Sequence, residues 1–313
     1  MAIRLDTPQN GFAIDWLGQR IRLPIRTSDT GGRISAQLGD APPGFTNPPH
    51  VHTREDEVFY VISGEIQIRI ADKLLHLSAG DVALAPAGLP HQVSVVGNNA
   101  AKLLVFLTGD TMEQAFIDAS GKSPTDLKDI MGRAGVKVLD HFDPDYRPIG
   151  FESVASDSAI VCRADEGNAV WLAGDTYTIK LGGEQTGDRF ALVHFDIPPG
   201  GGPVPHIHTR EFEGFVIAQG EVELYADGDI VTGRVNDVAV LPTNIPHCFK
   251  NRTNSHSQMI AIVAPAGFDR FIKMAGQPAI AGQHPPAINS EEKHRLIAAA
   301  NEFGVILRPD IEF

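Results

Sequence analysis

Four residues able to bind a metal, His50, His52, Glu57 and His91, sit in two short stretches with regular punctuation. The first stretch, Gly44 to Gly64, reads G-x5-H-x-H-x4-E-x6-G. Side chains alternate along an extended chain, so His50 and His52 turn their imidazoles to one face. Glu57 follows the polar link Thr53-Arg54-Glu55-Asp56 and opens an apolar run that ends at Ser63-Gly64. Glu65–Ile70 then alternates polar and apolar residues, as a half-buried strand does, with Ile66, Ile68 and Ile70 inward. Two imidazoles and a carboxylate on paired strands suit Zn, Cu, Fe, Ni or Mn. The second stretch, Gly80 to His91, reads G-x5-P-x-G-x2-H, a turn that delivers His91 onto a strand as a further ligand.

The whole arrangement then recurs. His206, His208, Glu213 and His247 each stand 156 residues after their counterparts, in a chain of 313. The second copy has Asn236 and Asn244 where the first has Gly80 and Gly88. Asparagine is the non-glycine residue that best tolerates positive φ, so both turns are expected to survive. One H-x-H pair arises readily by chance. The same four ligand types at the same spacing, twice, do not. A protein that kept the fold but lost its metal would be expected to have lost a ligand, and neither half has. The glutamates could alternatively orient the histidines without touching the metal, although direct ligation is the favoured reading.

These stretches resemble the two signature motifs of the cupin family. The resemblance implies a mostly β fold, a bicupin of two jelly-roll-type β-barrels each followed by short helices. The 156-residue repeat and the chain length place the domains at residues 1–150 and 151–313. The resemblance also implies one divalent transition metal per barrel, held by His50, His52, Glu57 and His91 in the first and by His206, His208, Glu213 and His247 in the second. Within that family the chain is similar to the quercetin 2,3-dioxygenase group. The features that carry this are Pro198-Pro-Gly-Gly-Gly-Pro, the Arg-Glu-x-Glu stretches at Arg54–Glu57 and Arg210–Glu213, and Pro265-Ala-Gly-Phe268.

The rest of the chain accords with two such domains. Its length suggests two cores of about 150 residues. A hydrophobic content of 42% with 21% charged residues is that of a globular protein. The net charge of −13 argues against nucleic acid as a partner. No apolar leader opens the chain, no apolar run could span a bilayer, and the cytoplasm is the expected compartment. Cys162 and Cys248 are expected to be free thiols, with Cys248 facing away from the metal. His76, His141, His194, His256, His284 and His294 have no counterpart in the other repeat and are read as surface or loop residues. Arg54 and Arg210 are read as pairing at the surface or barrel rim with Glu55 and Glu211.

Helices are expected over Met112–Ala119 and Phe268–Ala275. Each is followed by a second helix, capped by Ser123 with Pro124 at its first position, or by Asn289 in a capping-box-like opening. Gly135 and Gly304 stop these helices. Asp140–Gly150 is expected to connect the domains, and the two barrels to pair within the chain, with a homodimer also open.

Three imidazoles and one carboxylate leave one or two positions open on a first-row metal, and an open position permits catalysis. Phe59, Val61, Val93, Phe215 and Ile217 share the inward parity of the ligands. Ser35 and Gln37, with Ala191 and Val193, are placed inward on the preceding strands. This lining fits a flat organic molecule better than a small dianion. The resemblance implies a dioxygenase that takes a flavonol or other enolisable aromatic substrate with O2. In that group the metal binds the deprotonated 3-hydroxyl, and the ring opens with loss of carbon monoxide. Glu57 or Glu213 would be the catalytic base, with the first half preferred because its turn glycines are intact. The alternative is a non-oxidative lyase, decarboxylase or isomerase, which an inward arginine would favour, and none stands beside the ligands. A binding or storage module is disfavoured by two complete ligand sets. Nothing in the residues chooses among Fe, Mn, Ni, Cu and Co.

Overall fold

Strand-forming alternation and β-branched residues dominate both repeats, and a computed structural model shows each repeat folded as two facing sheets. Residues 2–148 and 158–313 are described. Ile149 and Gly150, at the end of the expected connection, lie outside them. The chain divides into two compact units, Gly11–Glu166 and Met1–Asn10 with Gly167–Phe313.

In the first unit a seven-stranded antiparallel sheet runs Ile160–Cys162, Val82–Ala85, Glu57–Ser63, Ala101–Thr108, Ile34–Ala41, Gln19–Ile25, Ala13–Trp16. Facing it, a five-stranded sheet runs Val136–Val138, His50–His52, His91–Val95, Glu65–Ile70, Lys73–Ser78. The second unit repeats the plan with sheets of eight and five strands. Both sheets in each unit are open, so these are jelly rolls rather than closed barrels. Ile66, Ile68 and Ile70 are fully buried between the sheets, as their alternation requires.

The edge strands are exchanged between repeats. Ile160–Cys162, which follows Arg4–Asp6 by 156 residues, pairs with Val82–Ala85 of the first unit. Arg4–Asp6 instead pairs with Val238–Leu241 of the second, in the equivalent register. Ile3, beside that strand, is wholly buried in the second unit's core. Ile3→Ala is therefore expected to destabilise that unit by about 2–5 kcal/mol, the cost of emptying a buried aliphatic site. Denaturant titration would show this, and an unchanged midpoint would contradict the exchange.

The helices obey local signals closely. Met112–Ala119 and Phe268–Ala275 form where expected. Ser123 Oγ accepts from Asp126 N at 3.3 Å ahead of the helix Pro124–Arg133. Asn289 Oδ1 accepts from Glu292 N at 2.9 Å ahead of Ser290–Phe303. No capping box forms at Asn289, because the Glu292 carboxylate accepts from Ala173 N at 2.8 Å instead. Gly135 and Gly304, both at positive φ, turn the chain out of the second helices. Beyond these glycines the chain departs from expectation. Val136–Val138 and Val305–Leu307 return as edge strands beside His50–His52 and His206–His208. A short helix at Gly183–Thr186 is likewise new.

Cys162 and Cys248 are both buried and neither forms a disulfide, and burial pushes the Cys248 thiol up to about 12. Among the other histidines, His194 departs from expectation. It is half-buried within the strand Ala191–Ile197, where burial, then Lys180, lowers its pKa. His76 is exposed but lies on a strand, and His256 lies 3.1 Å from Asp196.

Candidate metal centres

Three of the four ligand residues in each unit come from the smaller sheet and the fourth from the larger, so each centre lies between the sheets. His50 and His91 are direct partners on adjacent strands, as are His206 and His247. Glu57 reaches in from the strand Glu57–Ser63, and Glu213 from Phe212–Gln219. Among the described residues, two groups could hold a metal: His50, His52, Glu57 and His91, and His206, His208, Glu213 and His247. In each group the ligand atoms lie within 4.8 Å of one another.

The hydrogen bonds around these groups fix the tautomers. His50 Nδ1 lies 2.9 Å from Pro48 O, and His91 Nδ1 3.0 Å from Leu89 O. His206 Nδ1 lies 2.9 Å from Val204 O, and His247 Nδ1 2.8 Å from Ile245 O. A carbonyl can only accept, so in each case Nδ1 carries the proton and, in the neutral ring, Nε2 is a bare lone pair. His91 Nε2 nevertheless stands 2.9 Å from Glu57 Oε2, and His247 Nε2 2.9 Å from Glu213 Oε2. Two acceptors at that distance repel unless a cation lies with them. His52 Nε2 and His50 Nε2 face the same Glu57 oxygen at 3.1 and 3.7 Å. In the second unit, His208 Nε2 is buried with no hydrogen-bond partner. A single divalent ion per unit would satisfy all these groups, and the donor set fits a first-row metal.

The electrostatics point the same way. Burial, then the neighbouring imidazoles, push His50 down to about 4 and His206 down to about 3. Both rings are thus neutral at physiological pH, the form that can bind a metal. Burial alone would raise the Glu57 carboxyl, but the three imidazoles outweigh it and hold the group well below the ordinary carboxylate range. Glu213 is held down to about 2 in the same way.

Glu55 and Glu211 do not make the surface ion pairs expected of them. Both are buried while Arg54 and Arg210 stay exposed, because the chain turns the glutamates inward as it enters the ligand strand. Glu211 Oε2 lies 3.4 Å from His208 Nδ1, behind the metal centre. Glu55 takes a hydrogen bond from Thr111 Oγ1. Its Oε2 and His52 Nδ1 are both buried without partners. These glutamates recur at the same 156-residue interval as the candidate ligands, within the repeated Arg-Glu-x-Glu stretches, and that recurrence rather than the neighbouring arginines was the signal of their inward position.

The turns leading to the ligands are intact in both units. Asn236 and Asn244 adopt φ of 74° and 64°, the conformation Gly80 and Gly88 adopt in the first unit. Preference for the first half on account of its glycines therefore has no geometric basis. The Gly200-Gly-Gly stretch has a steric reason. A Cβ on Gly202, at φ +126°, would stand 2.0 Å from Phe249 O, and one on Gly201 2.4 Å from Asp175 Oδ1.

Asp175 is wholly buried and accepts from Gly202 N at 3.2 Å. Burial raises its pKa from 3.8 to about 7. The folded state thus holds this proton more tightly than the unfolded chain, so the group's stabilising contribution is complete below about pH 4 and lost as pH rises through about 7. Thermal stability is expected to fall across that window. Asp175→Asn, which keeps an acceptor for Gly202 N, is expected to flatten the profile. An equally steep fall in the variant would assign the effect to other groups.

A cavity opens onto each centre. In the first unit it measures about 320 Å³ and is walled by Trp16, Gln37, Asn47, His50, His52 and Glu57, with Met112, Phe116 and Met131 from the helices. A recess of about 80 Å³ shares Trp16, Gln37, Asn47 and Glu57 with it and reaches Gly39, Phe59 and Val93. In the second unit a cavity of about 170 Å³ touches His206, Glu213 and His247, and its walls include Tyr177, Phe195, Phe215, Phe249 and Phe268. No arginine lines any of these cavities among the described residues. Lys128 and Lys293 are the cationic side chains among their walls.

Two facing sheets holding three histidines and a glutamate, twice over, define a bicupin. The cupin domain profile matches residues 38–107 and 193–263, so the chain carries that domain in both repeats. Quercetin 2,3-dioxygenase of Bacillus subtilis (strain 168) is 23% identical over 266 residues, covering 80% of this chain and 78% of that protein. The wheat (Triticum aestivum) oxalate oxidase GF-3.8 is 32% identical over 111 residues, covering 32% of this chain and 50% of that protein. Among solved structures, the Lactobacillus farciminis oxalate decarboxylase formate complex superposes with a TM-score of 0.58 at 14% identity, covering 84% of this chain and 86% of that one. That likeness is one of fold. No helix among the described residues is long and apolar enough to cross a membrane.

Proposed function

We propose that this bicupin is a metal-dependent dioxygenase resembling quercetin 2,3-dioxygenase, which cleaves a flavonol or another enolisable aromatic compound with O2. The observation that carries the reading is the first centre itself, where imidazole lone pairs and Glu57 face an apolar-walled cavity of about 320 Å³. That volume lies within the ~300–1,000 Å³ usual for small-molecule sites. His50, His52, Glu57 and His91 would hold the metal. When bound, a redox-active divalent ion would acidify an enolic hydroxyl and allow electrons to pass to O2. Glu57 is ionised at the edge of the cavity and would take the hydroxyl proton; the imidazoles that hold its pKa low make it a weak base, so the hydroxyl would have to be acidified for the transfer. Met112, Phe116 and Met131 keep water from the reacting ring and supply flat, polarisable contacts. Lys128 is the cationic side chain among the walls of this cavity, and no arginine lines it among the described residues, so a small dicarboxylate would lack the paired, bidentate donors that a guanidinium offers.

The test is to load the purified protein separately with Fe, Mn, Ni, Cu and Co and follow O2 uptake against a panel of flavonols, with oxalate as the contrasting substrate. Flavonol-dependent uptake with at least one metal is expected. Formate or carbon dioxide released from oxalate, with no flavonol-dependent uptake, would replace this reading with the lyase.

A further inference from the structure

The two centres match residue for residue, but the space in front of them does not. Gln37 lies opposite Val105, which lies opposite Phe59, and the equivalent row in the second unit is Val193, Ala261 and Phe215. The single amide in this row thus becomes an isopropyl group. The Gln37 side chain lines both spaces in front of Glu57 and makes no hydrogen bond within the described protein. The next inward position is Gly39 in the first unit and Phe195 in the second, 156 residues on. Phe195 packs against Tyr177 at 4.6 Å and Phe249 at 5.8 Å between ring centroids. The first unit has Ile21 and Val93 at those two places; Ile21 Cγ2 lies 2.6 Å from where a Cβ on Gly39 would stand, and the 80 Å³ recess is bordered by Gly39, Ile21 and Val93 in place of the three rings.

We propose that Gln37 is the residue by which the first unit selects its ligand, its carboxamide hydrogen-bonding an oxygen of an aromatic enol whose far ring enters the recess bordered by Gly39, Ile21 and Val93. The ring cluster of the second unit closes that position to the same ligand. A carboxamide both donates and accepts, so it can meet a hydroxyl or a carbonyl of a polyoxygenated ring system. Left facing an apolar ligand, it would lose its contact with water and gain nothing, which is the basis of selection. The inference rests on the aromatic-substrate reading, and it adds where the ligand goes and what holds it.

The chain has two tryptophans, of which Trp16 lines the first cavity and Trp171 lines none of the three spaces described. In Trp171→Phe, fluorescence therefore reports on the first cavity alone. Quercetin is expected to quench it saturably. Adding Gln37→Val, which installs the second unit's residue, should raise Kd roughly tenfold, the loss of one hydrogen bond. Metal content should not change, and KM should rise more than kcat falls. Gln37→Met, which keeps the side chain's length and drops the amide, should behave alike, so a folding defect in one variant does not decide the matter. Parental Kd in both variants, or quenching that needs Trp171 and not Trp16, would overturn the proposal. Gln37-dependent binding without O2 uptake would leave it standing and remove the dioxygenase reading. Uptake at parental KM in both variants would do the reverse, and no binding at all would end both.

Discussion

Glu57→Gln is expected to lower kcat by at least about 100-fold, the loss that accompanies removal of a general base. Glutamine keeps the size and one oxygen, but it cannot take a proton and is the poorer ligand. The matched change, Glu213→Gln, is expected to leave turnover near the parent value, because the space in front of Glu213 is the smaller one and is bordered by the ring cluster. The contrast separates a working centre from one that only resembles it. Equal losses from both substitutions would show two working centres. No loss from either would remove the glutamate from the chemistry.

The second large effect concerns the metal. His91→Ala removes one ligand of a buried set and strands the Glu57 carboxylate, whose close imidazole partner it is. Metal-replete protein is expected to bind one ion at each of the two centres. The variant should lose the first ion and keep the second, and His247→Ala should do the reverse. An ion present at about 1,000 times its Kd stabilises the unit holding it by about 4 kcal/mol. Chelation should therefore lower the melting transition of the parent, and lower that of His91→Ala by less. Elemental analysis showing both ions retained in His91→Ala would contradict the assignment of ligands.

The grouping of the eight candidate ligands was legible in the sequence because their chemistry is local and repeated. Each imidazole pair sits on one strand face, and its spacing to the glutamate and to the last histidine recurs. The helices were legible for the same reason, since Ser123 and Asn289 cap within three residues of themselves. The strand exchange was not. Arg4–Asp6 and Ile160–Cys162 are equivalent segments, and either could pair with Val82–Ala85 or Val238–Leu241 with the same backbone bonds. Only the long-range packing, which places Ile3 in the second unit's core, distinguishes the two outcomes. The burial of Glu55 and Glu211 was hidden because a polar run beside an arginine looks like a surface loop. The difference between the cavities was present in the paired letters Gly39 and Phe195, but it carried no meaning until the sheets showed that both face inward.

Consumption of O2 during conversion of a flavonol by the metal-loaded protein tests the central claim most directly. Substrate loss and O2 loss would be recorded together in a sealed cell, then repeated under strict anaerobiosis. The account predicts about one O2 consumed per molecule of substrate, and no conversion when O2 is absent. Conversion at the full rate without O2 would contradict it.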